Sequence, residues 1–340
     1  MYIRKDGRLC ERVRLPNGKI RDIYALTEKE MKQKLVAFNI DLEHGRLFSA
    51  VIDEWWEFHK SEIEYNTISS YIRPIKDVKE ALGNHRVGEI TPLDIQRYLT
   101  TYAHAGGAKR ARQTVKLRRT VINQALNFAI LQTQEIKVNP AVTVKIPKGC
   151  PSQTREPLTE EEMAIVKASA GKPFGLFPFL LAYTGMRPGE ALALKYEDID
   201  RTKGVIHITK SLLFAARGKS EIKAPKTAKG VRDAILLKPL ADRLPKSKKG
   251  FIFSPDPARA ITGKEYRGQW AKYREETGTS FDPYQCRHYY ASLLYESGVG
   301  VKDAQELMGH AKASTTLNIY THIRINKTEA LAQQIEAHIL

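Results

Sequence analysis

The residue types best able to do chemistry in this chain fall between positions 184 and 322. They are Arg187 in Thr-Gly-Met-Arg-Pro-Gly-Glu (184–190), Lys226 in Pro-Lys-Thr (225–227), Tyr284 and Arg287 in Tyr-Gln-Cys-Arg (284–287), His310 in Leu-Met-Gly-His (307–310) and Tyr320 in Asn-Ile-Tyr-Thr-His (318–322). Two arginines, a lysine, a histidine and a late tyrosine are the inventory needed to attack a phosphodiester with a tyrosine and no metal. A guanidinium can fork two phosphate oxygens. A lysine can protonate the oxygen that leaves, and general acids of that kind are worth about a hundredfold or more in rate. Tyrosine is a weak nucleophile at its free pKa, so it needs a base or strong electrostatic help from donors aimed at the developing charge.

These side chains need elements to hold them. Gly185 ends an apolar helix over 177–184 and Pro188 suits the first turn of the next, so Arg187 is expected at a sharply turned helix junction with Glu190 placed to orient it. Strands are expected over 205–210 and 231–237. Lys226 lies in their connection, where Lys223 and Lys229 compete for the same role. Asp282, Pro283 and Gln285 mark a helix start that puts Tyr284 and Arg287 one turn apart on one face, with His288 pointing elsewhere. Val301, Ala304, Leu307 and Met308 form a buried helical stripe that Gly309 terminates, leaving His310 at a defined loop. After Ser314-Thr315-Thr316 as cap and first turn comes Tyr320, one of 15 tyrosines.

In order, spacing and local context these motifs resemble the tyrosine recombinase family, the phage-type integrases. The resemblance implies that Arg187 and Arg287 clamp the scissile phosphate, that His310 touches it, that Lys226 is the hairpin lysine and that Tyr320 is the nucleophile. At 284 the chain departs from the family's usual His-x-x-Arg. Tyr284 can donate a hydrogen bond, but a phenol with an ordinary pKa near 10 is a poor proton acceptor. The implied cycle forms a 3′-phosphotyrosyl bond, frees a 5′ hydroxyl and reverses on another duplex, with no ATP, metal or cofactor. Partners implied are double-stranded DNA, three further copies in a tetramer, and an excisionase or DNA-bending protein. A C-terminal stripe of Leu331, Ile335 and Ile339 would dock on a neighbouring protomer or pack on its own domain.

Composition agrees with a nucleic-acid partner. At 340 residues the chain suits two or three domains. With 55 Lys+Arg against 38 Asp+Glu it carries a net +17 and a pI near 9.6, which bears on partners and says nothing of fold. Cys10, Cys150 and Cys286 are too scattered for a zinc quartet and odd in number for a disulfide framework. No apolar run approaches a membrane span, and the first residues lack a signal peptide's apolar core, so the expected compartment is the cytoplasm.

The expected fold is mainly α with small β-sheets, in several domains. Residues 1–43 read as a three-stranded antiparallel sheet, turned at Asp6-Gly7 and Asn17-Gly18, plus a helix capped by Thr27 and Glu30. Arg8, Arg12 and Arg14 alternate there with Leu9, Val13 and Leu15, giving a basic face for accessory DNA and an apolar face for the helix. Residues 44–148 read as wholly helical. No acidic residue occurs between Asp94 and Glu135, while Lys109, Arg112, Lys116 and Arg119, with Arg110 beside them, line one helix face suited to phosphates. Residues 149–154 form a linker, and a capping box at Thr159 and Glu162 opens a catalytic domain over 155–340. The extra N-terminal module favours integration and excision of a mobile element or prophage. A type IB topoisomerase and a catalytically idle DNA-binding regulator are the competing readings.

Overall fold

The computed structural model describes residues 1–14, 20–107, 109–152, 156–215, 220–225, 230–246 and 248–325. The chain divides into two compact units, Met1–Gln153 and Thr154–Leu340, mostly helical with small antiparallel sheets. Among the described residues no helix is long and apolar enough to cross a membrane.

The first unit opens with β1 (Tyr2–Ile3), β2 (Leu9–Arg14) and β3 (Ile20–Ala25), paired in that order. Gly7 takes φ +82° at the first turn; Asn17-Gly18 lies outside the described residues. Helix α1 (Glu28–His44) starts at Thr27, whose hydroxyl accepts the Glu30 N–H, while the Glu30 carboxylate takes the N–H of Leu26. The expected split of β2 into arginine and apolar faces is not what the sheet does. Cys10, which alternates with Arg8 and Arg12, is fully buried, whereas Leu9 and Val13 are only half-buried. Arg8 pairs with Asp6 in the β1–β2 turn, and Arg12 with Asp22, its cross-strand partner on β3.

Helices α2 (Phe48–His59), α3 (Tyr65–Leu82), α4 (Pro92–His104) and α5 (Arg112–Leu131) then enclose a core that includes Phe48, Ile52, Ile95, Leu99, Ile122 and Leu126. Thr91 caps α4 in a full capping box with Asp94. The helical reading to 148 is corrected here: α5 ends at Leu131, and 132–152 hold no regular element. Positive φ at Gln134 keeps the chain out of helix beyond that end, and three prolines, Pro140, Pro147 and Pro151, lie in the stretch that follows.

In the second unit α6 (Glu160–Ser169), capped by Thr159 and Glu162, leads to α7 (Leu176–Thr184) and the short α8 (Pro188–Leu192). Strands β4 (Ile199–Asp200), β5 (Val205–Ile208) and β8 (Arg232–Ile235) form one sheet in the order β4-β5-β8. A separate hairpin of β6 (Ser211–Phe214) and β7 (Ser220–Lys223), not expected from the sequence, occupies the connection. After α9 (Lys238–Ala241) come α10 (Gly263–Thr277), α11 (Pro283–Glu296), α12 (Val301–Met308) and α13 (Ala313–Ile325). Helix α7 is apolar all round and runs through the core, with Phe177, Phe179, Leu180 and Leu181 at most 1% exposed. At roughly 1.5–3 kcal/mol per buried side chain of this size, it is a rigid base for the residues at its end.

Candidate active site

The site is built outward from the end of α7. Gly185 adopts φ +61°, and a Cβ there would fall 2.3 Å from the Tyr290 ring, so both conformation and space require glycine. Two residues on, Arg187 is the N-cap of α8 with Pro188 at its first position. The Glu190 carboxylate reaches back to the Arg187 N–H (2.8 Å) and also accepts from Arg187 Nη1 (2.8 Å). Glu190 is buried, while the Arg187 side chain stays 38% exposed. One edge of the guanidinium is therefore anchored and the group is still open to a ligand.

Helix α11 supplies the second arginine. Asp282 caps it in a box with Gln285, which fixes the first turn and the residues that follow. Arg287 is buried and donates Nη1 to the Gly185 carbonyl and Nη2 to the Met308 carbonyl. Burial and then the Arg187 charge pull its pKa down to about 9, still above neutral pH, so it keeps its charge. Tyr284, one turn earlier, is 37% exposed and lies close enough for its phenol to influence Arg287.

The end of α12 gathers these groups. Three consecutive carbonyls there each accept from a different arginine: Leu307 from Arg232 Nε (2.9 Å), Met308 from Arg287, and Gly309 from Arg187 Nη2 (2.9 Å). A helix C-terminus leaves such carbonyls without partners and carries negative partial charge, so it suits cations. Gly309, at φ +62°, turns the chain and delivers His310. The imidazole is buried, with Nδ1 2.8 Å from the Thr316 hydroxyl. Burial first, and then the Arg287, Arg187 and Arg232 charges, push its pKa down to about 3, so it is neutral at pH 7.

Tyr320 stands apart from this cluster. Its hydroxyl donates to the Val299 carbonyl (3.2 Å), its ring meets Tyr295 edge to face, and only 6% of the residue is exposed. Burial raises the phenol to about 12. Lys226 lies outside the described residues, as do Lys229 and the stripe of Leu331, Ile335 and Ile339.

The candidate DNA-contacting residues of the first unit fall into two groups. Lys109, Arg112 and Lys116 are exposed, but α5 begins only at Arg112, so Lys109 and Arg110 precede the helix and the expected face is limited to Arg112, Lys116 and Arg119. Arg119 instead donates to the carbonyls of Val144, Ala141 and Val142, and Arg110 to the Tyr102 hydroxyl while stacking on its ring. In the small sheet Arg8 pairs with Asp6 and Arg12 with Asp22, while Arg14 is exposed. Sequence reasoning missed Arg232, whose side chain is buried against Glu190. No local pattern marks it, because every partner but Gly230 is distant in sequence.

A helical fold with small sheets, carrying two arginines and a histidine at one helix end and a tyrosine on the next helix, defines the tyrosine recombinase class. Residues 159–327 match the phage integrase family, and residues 47–102 match the N-terminal SAM-like domain of phage integrases. The chain belongs to the phage integrase family, and its activity is site-specific DNA recombination. It is 25% identical to a tyrosine recombinase XerC-like protein of Caldanaerobacter subterraneus subsp. tengcongensis, over 90% of this chain and 89% of the relative. In fold it is similar to the Tn1549 transposon integrase in complex with a circular intermediate DNA, at TM-score 0.71 and 20% identity over 85% of this chain and 99% of that one. It is also similar to a lambda integrase tetramer bound to a Holliday junction, at TM-score 0.56 and 22% identity over 93% of each chain.

Proposed function

We propose that the chain cleaves and rejoins DNA through a 3′-phosphotyrosyl bond on Tyr320, integrating and excising a mobile element or prophage. The observation that carries this reading is the convergence of Arg187, Arg287 and neutral His310 on the end of α12. Arg187 and Arg287 hold the non-bridging oxygens of the scissile phosphate, and His310 donates or accepts one further hydrogen bond there. Tyr284 offers a phenol in the place where relatives of this kind carry a histidine. Lys226 protonates the leaving 5′ oxygen. Tyr320 leaves the Val299 carbonyl, gives its phenolic proton to solvent water and attacks phosphorus as the phenolate; the bond to the DNA 3′ end forms as the bond to the 5′ oxygen breaks. A 5′ hydroxyl of a second duplex reverses the step, and the phosphodiester is restored with no external energy source.

Residues 44–148 grip the core site through Lys109, Arg112 and Lys116, and residues 1–43 bind accessory DNA. The linker is 149–154, and residues 155–340 perform the chemistry. Four copies assemble on two duplexes, with Leu331, Ile335 and Ile339 as the docking stripe and an excisionase or DNA-bending protein setting direction. The reaction takes place in the cytoplasm, on chromosomal DNA. Likeness over nearly the whole chain to the lambda integrase tetramer, and to the integrase of a transposon, supports the mobile-element reading.

The test is covalent trapping. The protein and its Tyr320→Phe variant are incubated with nicked duplexes carrying the junction of the element that encodes it, and a denaturant-resistant protein-DNA band is sought. A band that needs Tyr320 supports the reading. Sequence-specific binding with no band would replace it with a DNA-binding regulator, and relaxation of supercoils without strand exchange would replace it with a topoisomerase.

A further inference from the structure

Arg232, at the start of β8, carries a buried guanidinium. Its side chain is 6% exposed and that of its partner Glu190 is 2% exposed. Every nitrogen of its guanidinium is committed: Nε to the Leu307 carbonyl (2.9 Å), Nη1 to Glu190 Oε1 and the Gly230 carbonyl (3.2 Å each), and Nη2 to Glu190 Oε2 (2.9 Å). It has little left to offer a phosphate. Its neighbours are the carboxylate that orients Arg187 and the helix end that carries His310. Gly309 also depends on it, since a Cβ at that position would lie 2.8 Å from Arg232 Nη1.

Glu190 is thus shared. Oε1 accepts from Arg187 Nη1 and Arg232 Nη1, and Oε2 accepts from the Arg187 N–H and Arg232 Nη2. A buried carboxylate facing Arg187 alone would bind it as a closed ion pair and cancel its charge toward a ligand. With a second guanidinium on the other side, the trio of two arginines and one carboxylate keeps a net positive charge, and the carboxylate still orients Arg187.

We propose that Arg232 is a positioning residue for strand cleavage, which shares Glu190 with Arg187 so that Arg187 stays both aimed and charged, and which fixes the turn before His310. This rests on the reading of Arg187 as a phosphate-binding residue. Burial alone would raise the Glu190 carboxyl, yet it lies below the usual carboxylate range, with Arg232 the strongest opposing influence and Arg187 behind it. Arg232 is thereby the principal counter-ion of Glu190.

The experiment measures single-turnover cleavage at saturating nicked junction duplex for the wild type, Arg232→Met, Arg232→Lys, Arg187→Ala and Tyr320→Phe, with DNA affinity and melting temperature alongside. Each is repeated with a methylphosphonate at the scissile position, which lacks the charge that Arg187 is there to bind. Arg232→Met is expected to cleave about 100-fold more slowly at unchanged affinity, the size of effect a small misplacement produces. Arg232→Lys, which keeps the charge and loses the fork, is expected to fall between. On methylphosphonate the Arg232→Met deficit is expected to shrink below about tenfold, in parallel with that of Arg187→Ala. A deficit equal on both substrates would make Arg232 a structural brace only, and wild-type-like cleavage by Arg232→Met would also overturn the proposal. Should Arg232→Met not fold, Arg232→Lys is judged by the same two substrates. If the wild type itself forms no Tyr320-dependent adduct, the underlying functional reading falls and this inference falls with it.

Discussion

Arg187 and His310 are linked through a single peptide group: Nη2 of Arg187 donates to the Gly309 carbonyl at 2.9 Å, and that carbonyl is bonded to the His310 nitrogen. A change in one guanidinium is therefore felt at the imidazole. Arg187→Ala is expected to slow cleavage about 100- to 1,000-fold, the usual cost of losing one preorganised donor to a developing oxyanion. Folding should survive, because Glu190 keeps Arg232. Quenched cleavage time courses with a melting curve check both halves.

Tyr320→Phe is expected to abolish the covalent adduct and cost only about 1 kcal/mol of stability, since the hydroxyl makes one hydrogen bond, to Val299. Urea melts and denaturing gels read the two effects separately. A drop in stability several times larger would mean that the hydroxyl holds more than that one contact.

The buried His310 gives stability a definite pH dependence. Its folded-state pKa is about 3 against an ordinary 6.5, so as pH falls through 6.5 the unfolded chain takes up a proton that the folded chain refuses. This contribution is complete above pH 6.5 and is lost progressively toward pH 3. At pH 5 the loss from this residue alone is about 2 kcal/mol. Urea midpoints at pH 7 and pH 5 should differ more in the wild type than in His310→Gln.

Gly309→Ala is expected to destabilise the second unit by at least about 2 kcal/mol, combining left-handed backbone strain with overlap against Arg232. Cleavage should fall further than stability explains, because His310 is displaced along with the turn. Thermal melting compared with rates measured well below the transition separates the two.

Lys116 and Arg119 were alike in the sequence and should behave differently. Lys116→Ala is expected to weaken DNA binding and reduce the slope of log affinity against log salt by about 1. Arg119→Ala is expected to leave that slope nearly unchanged and to lower the melting temperature, because its guanidinium ties α5 to the carbonyls of 141–144. Fluorescence titrations over a salt series distinguish them.

What was legible in the sequence was local. Gly185 with Pro188, the Asp282 box, the Thr159 box and the stop at Gly309 announced helix ends, and helix ends place Arg187, Arg287 and His310. What was not legible depended on contacts between distant residues. Arg232 reads as one more basic residue in a strand until Glu190 and Leu307 come beside it. Cys10 gave no sign that it, and not its apolar neighbours, would be the buried residue of β2. Spacing showed a face of cations on α5, but the loop that follows decides which of them solvent can reach.

The three guanidiniums at the end of α12, with one carboxylate among them and a neutral imidazole beside them, leave two positive charges. A resting phosphodiester has one negative charge, and attack by an ionised oxygen makes it a dianion. On the proposed reading, and before Lys226 is counted, that charge suits the fleeting five-coordinate species better than intact DNA, so affinity would rise most at the moment of bond exchange, which is where extra affinity becomes speed.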